Sequence, residues 1–180
     1  MRSKSAKLTS LEFFHPQFFS LASPHPIWTT TGYSPTKVSM ATVQAQMLSG
    51  RYRTEALCSN WSKNSLGHCL LSPSCDVVED LTHILKCCEA LSPTRKKLFS
   101  FTASYCDDNP DIKDIVKLYC TPANPKFCQF LVDCSTLPEV IRSVQLNGLT
   151  VLKHLFNITR IWCYSIHRER LKLLGRWNRF

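Results

Sequence analysis

The sequence predicts an all-α fold, a small irregular helical bundle ending in a long basic helix. Three observations predict it. Proline follows a capping residue at Ser92-Pro93, Asn109-Pro110 and Asn124-Pro125, the signature of helix starts. Val151, Leu155, Ile158, Trp162 and Ile166 recur at helical spacing as one apolar stripe. No period-2 alternation of useful length interrupts these patterns.

Taken in order, residues 1–36 carry Pro16, Pro24, Pro26 and Pro35 among many Ser and Thr, and read as an extended, weakly ordered arm. Its aromatics Phe13, Phe14 and Trp28 are candidates to lie on the body that follows. Helical pattern begins near residue 38, where Val43, Met47 and Leu48 share a face before Gly50 stops the helix. Thr54 can cap the next short one. Pro138 opens a later helix that ends at Asn147-Gly148. The stretch from Leu149 to Gly175 is the longest candidate, and its apolar stripe calls for core or partner packing.

The middle of the chain carries chemistry. Cys69, Cys75, His83 and Cys88 stand within twenty consecutive residues in the order Cys-x5-Cys-x7-His-x4-Cys. A structural zinc site uses four thiolate or imidazole ligands supplied as two local pairs. The second pair fits that scheme; the first is wider than usual, with Pro73 offering a turn between its members. Asp76 to Glu79 (DVVE) has the form of a capping box, so a helix is expected just after Cys75 with His83 in its second turn. On such a helix Cys87 shares the face of His83, whereas Cys88 reaches the same side only where the helix loosens, so both stand as candidates.

The text around these ligands, MLSGRYRTEAL, CSNWS, GHCLLSPSC, EDLTHILKCCEAL and SPTRKKL, resembles the zinc-binding segment downstream of the reverse transcriptase domain in LINE-type (non-LTR) retrotransposon polyproteins. The resemblance covers about residues 40 to 100 and implies one structural zinc held by Cys69, Cys75, His83 and Cys88, with Cys87 as the extra cysteine. Together with the proline and capping punctuation on either side, it divides the chain into an arm (1–36), a helical zinc-binding segment (37–100) and a helical C-terminal region (101–180). In that family the segment is thought to help the polymerase engage its RNA template or DNA target. The expected partners are therefore RNA or DNA, with low sequence specificity, and the remainder of such a polyprotein.

Charge bears on that expectation. The formal net charge is +9, and residues 153–180 hold seven Lys or Arg against the single acid Glu169, so the positive field is concentrated at the C-terminus. Arg160, Arg168, Arg170, Lys172, Arg176 and Arg179, interleaved with Trp162, Tyr164, Trp177 and Phe180, have the composition of a surface that contacts phosphates and stacks bases. Arg51 and Arg53 before the ligand cluster, and Arg95, Lys96 and Lys97 after it, form a second basic group. The competing reading is a structural or protein-interaction module, or a non-functional remnant of such an element, with the apolar stripe pairing to another chain.

Tyr105-Cys106-Asp107-Asp108 spells the Tyr-x-Asp-Asp box of reverse transcriptases, but polymerase chemistry needs paired metals on a β-rich palm with a further distant acid, and the sequence provides no such setting. The chain is expected not to be an enzyme. No segment approaches the eighteen apolar residues of a membrane span, and the N-terminus lacks the apolar core of a signal peptide, so an intracellular location with reduced thiols is expected.

Overall fold

Among the described residues eight α-helices are joined by short 3-10 and π turns, and the last of them organises the rest. The computed structural model describes Phe13, residues 24–72 and residues 74–175. The helices are α1 (Pro26–Thr29), α2 (Pro35–Leu48), α3 (Glu55–Cys58), α4 (Ser92–Asp108), α5 (Lys113–Tyr119), α6 (Phe127–Val132), α7 (Pro138–Asn147) and α8 (Leu149–Leu173). There is no strand among the described residues; a single antiparallel bridge joins His68 and Val78. The fold is all-α, as the proline-headed starts predict.

Local chemistry explains most boundaries. Ser34 caps α2 ahead of Pro35, Thr54 Oγ1 accepts from Leu57 N at 3.1 Å to cap α3, and Pro93 stands in the first turn of α4. Pro110 opens a 3-10 turn that leads into α5, whereas Pro125 lies in a turn two residues ahead of α6. Pro138 starts α7, which stops at Gly148 with φ +76, a left-handed conformation that a side chain would disfavour.

Helix α8 runs through the centre, packed against α1, α2, α4, α6 and α7. Val151, Leu155, Ile158, Trp162 and Ile166 are all fully buried, so the stripe is the core of this chain and is not free to pair with another. Trp162 meets Phe99 and Phe127 edge-on at 4.8 Å and 5.8 Å between ring centroids, and its indole Nε1 donates to Thr102 Oγ1 at 2.8 Å. An aromatic so enclosed costs about 3–5 kcal/mol to truncate. Gln44 on α2 donates through Nε2 to Leu131 O at 2.8 Å and to Thr159 Oγ1 at 3.0 Å, locking α2, α6 and α8 together.

The arm departs from expectation. Residues 26–29 and 35 onward are helical, and Ile27, not the half-exposed Trp28, enters the core. His25 fixes this start: its Nδ1 accepts from Ile27 N at 3.1 Å, which leaves Nε2 to carry the proton facing Asp133 Oδ2 at 3.3 Å. Phe13 is buried in the same core, while Phe14 lies outside the described residues. One continuous apolar cluster runs from Phe13 to Ile166, so the expected arm, middle and C-terminal segments share a single core.

Candidate metal centre

Between α3 and α4 the chain forms a loop with little regular structure, and its shape follows from a few backbone bonds. Gly67, at φ +79, turns the chain into a short ribbon in which Cys69 N donates to Val77 O and Glu79 N donates to Gly67 O, both at 2.9 Å. A Cβ on Gly67 would meet Ser59 Oγ at 3.2 Å, so glycine is required on both conformational and steric grounds. The ribbon brings Cys69 back over the helical turn that starts at Leu81.

That turn begins later than the DVVE pattern suggests. Asp80 caps it, accepting from His83 N at 2.6 Å through Oδ1. Asp76 instead faces His68, with 2.5 Å between Oδ1 and Nδ1, and Glu79 is buried elsewhere. The expected helix after Cys75 is absent because residues 77–79 are held in the ribbon. His83–Cys87 then forms a π turn, closed by Cys88 N donating to His83 O at 2.7 Å. This widened turn is the loosening that Cys88 needs: Cys88 is fully buried beside Cys69 and His83, and Cys87 is exposed.

The result is a buried group of Cys69, His83 and Cys88 whose ligand atoms all lie within 4.8 Å of one another and can hold a metal ion. Cys69 Sγ and Cys88 Sγ are 3.8 Å apart. The half-buried Cys75 adjoins the group, its Sγ 3.5 Å from His83 Nε2. Pro73, expected to turn the chain between the first two cysteines, lies outside the described residues. Burial, reinforced by the neighbouring thiols of Cys88 and Cys75, pushes the Cys69 thiol up to about 12, and burial pulls the His83 imidazole below its ordinary value. A neutral imidazole is ready to ligate; the thiol yields its proton when a cation replaces it. None of the ten cysteines forms a disulfide.

Two shells of support surround the group. Arg95 donates through Nη2 to Cys88 O and through Nη1 to Ile84 O at 3.4 Å, satisfying carbonyls that the π turn leaves open. Glu79 is fully buried and joins three elements: its Oε1 accepts from Glu55 N at 3.0 Å on α3 and from Arg170 Nη2 at 2.5 Å on α8. The Arg170 guanidinium also lies 5.8 Å over the Tyr52 ring, whose hydroxyl is 3.1 Å from His167 Nδ1. Sequence reasoning did not identify Glu79 as a structural partner.

The expected nucleic-acid contacts divide accordingly. Arg95, Arg160 and Arg170 are 7%, 1% and 3% exposed and are corrected from surface contacts to internal ties; Arg160 donates to Phe156 O at 2.9 Å and to Thr30 Oγ1 at 2.5 Å. Trp162, expected among the stacking rings, is core. Arg51, Arg53, Lys96, Lys97, Arg168 and Lys172 are exposed. Arg176, Arg179, Trp177 and Phe180 lie outside the described residues.

The exposed members of the expected contact set share one end, whereas the exposed Lys153, beside His154, lies at the other. Thr102 faces Trp162, while Tyr105, further along α4, faces Asn157 and His154, further back on α8, so the two helices are antiparallel. Lys96 and Lys97 therefore stand at the axial level of Arg168, the end where Tyr52, between Arg51 and Arg53, meets His167. Asp107, Asp108 and Asp111 lie at the opposite end, where Asp107 pairs with Lys113 at 2.9 Å and Asp111 faces His154 at 3.4 Å. The Tyr-x-Asp-Asp sequence is thus the last turn of α4, with both carboxylates exposed. No helix among the described residues is long and apolar enough to cross a membrane. No family model, curated protein or solved structure matches the chain.

Proposed function

We propose that this chain is a zinc-stabilised nucleic-acid-binding module of the kind found downstream of the reverse transcriptase in LINE-type retrotransposon polyproteins, without polymerase activity of its own. Cys69, Cys75, His83 and Cys88 hold one structural zinc. With Zn–S near 2.3 Å and Zn–N near 2.0–2.1 Å, a tetrahedral site has ligand edges of about 3.8 Å between sulfurs and about 3.6 Å between sulfur and nitrogen. The Cys69–Cys88 and Cys75–His83 separations of 3.8 Å and 3.5 Å support that assignment.

The observation that carries the nucleic-acid reading is the gathering of Arg51, Arg53, Lys96, Lys97, Arg168 and Lys172 at the end of the bundle that also holds the metal cluster. Such a field binds phosphates with little regard for sequence. The test combines native mass spectrometry for zinc with fluorescence anisotropy on labelled RNA and DNA. One zinc per chain, and an affinity that falls steeply with salt and flattens when these six cations are neutralised, is the expected result. Absence of salt-dependent binding would favour a purely structural or protein-interaction module.

A further inference from the structure

We infer that Trp61, with Arg53 and Lys63 beside it, is a stacking site for an unpaired base, so that the module prefers single-stranded nucleic acid to duplex. The inference rests on the proposed nucleic-acid function and specifies its substrate class.

Trp61 is 84% exposed, in a chain whose other described tryptophans are buried (Trp162) or half covered (Trp28). Exposed apolar side chains such as Tyr33, Leu66 and Leu146 also occur, but Trp61 is the exposed ring with two cationic residues close by in the chain. Its backbone is not loose. Trp61 N donates to Cys58 O at 3.0 Å and Ser62 N donates to the same carbonyl at 2.9 Å, so the turn after α3 is closed tightly behind the ring. Arg53 meets the same residue, with Nε donating to Cys58 Sγ at 3.3 Å. Cys58 thus bonds both the exposed Arg53, through Sγ, and the backbone of the exposed Trp61, through its carbonyl, and Lys63 follows two residues later, also exposed. An exposed indole and two exposed cations within one short stretch of chain supply what a nucleotide needs: a face on which the base lies and charges that meet the adjoining phosphates. Duplex DNA keeps its bases stacked and offers this ring nothing that a phosphate does not already give the cations. Glu55, the nearest acid in sequence, is buried and engaged by Ser65, so no carboxylate side chain of α3 opposes the phosphates.

The experiment uses the full chain loaded with zinc, and measures anisotropy on a labelled single strand and on its duplex at one ionic strength. Trp61→Ala is expected to weaken single-strand binding by about 5- to 100-fold while leaving duplex binding unchanged, and Trp61→Phe to retain most of the affinity. Arg53→Gln and Lys63→Gln are expected to weaken both and to reduce the salt slope. Equal losses of Trp61→Ala on both substrates, or none on either, would overturn the inference while leaving the nucleic-acid reading intact. Failure of the wild-type chain to bind either substrate would overturn both. Trp61 contributes nothing to the core, so unchanged zinc content and thermal midpoint of Trp61→Ala serve as the folding control.

Discussion

Arg95, Arg160 and Arg170 show how a cation that reads as surface charge becomes a structural tie. Each guanidinium offers a planar fork of donors, and each spends them on carbonyls, a hydroxyl or a carboxylate inside the protein. The sequence held a signal for two of them. Arg170 continues the i+4 series Ile158, Trp162, Ile166, and Arg95 falls between Leu91 and Leu98 on the buried face of α4. Their charge drew attention, although the periodicity placed them inside. Two predictions belong at this scale. Arg170→Met leaves Glu79 buried without its partner and should cost about 3–5 kcal/mol in urea denaturation, whereas the double variant Glu79→Met, Arg170→Met should recover most of the loss. Arg95→Ala should weaken zinc retention against a chelator without changing the salt slope of nucleic-acid binding, because its donors serve Cys88 O and Ile84 O.

At the level of elements, the π turn decides which cysteine joins the buried Cys/His group. An α-helix would present Cys87 beside His83, and the one extra residue per turn presents Cys88 instead. Cys88→Ser should therefore abolish zinc binding in native mass spectrometry, while Cys87→Ser should retain one zinc per chain. The helix starts later than DVVE predicts for a physical reason: that segment has capping chemistry, but the ribbon bonds of Cys69 and Glu79 claim its backbone first. Asp80 takes over the cap three residues before His83. Elements without such competition follow local signals: α2 its Ser34 cap and Pro35, α4 and α7 the prolines of their first turns, and α8 its apolar period.

Over the whole molecule, two imidazoles couple stability to pH. Burial lowers the pKa of both His83 and His167, with Arg170 adding repulsion at His167. Above the ordinary value of 6.5 both are neutral whether folded or unfolded and cost nothing. As pH falls below 6.5 the unfolded chain takes up protons first, so stability should decline with acid until the depressed folded values are passed. Thermal midpoints of the zinc-free chain between pH 7.5 and 5 should show that decline, and His167→Gln should lessen it. Zinc steepens the same trend, since protons compete with the metal for its ligands.

The sequence by itself determined the helical class, the Thr54 cap, the central stripe of α8 and the presence of a Cys/His cluster that could hold a metal ion, because these depend on periodicity and on local backbone chemistry. Only the tertiary structure decided that Glu79 meets Arg170 across ninety residues, that the arm's last turns join the core, and which cations remain in water. Those outcomes depend on which buried donors and acceptors find one another when distant segments pack, and no local pattern specifies that pairing.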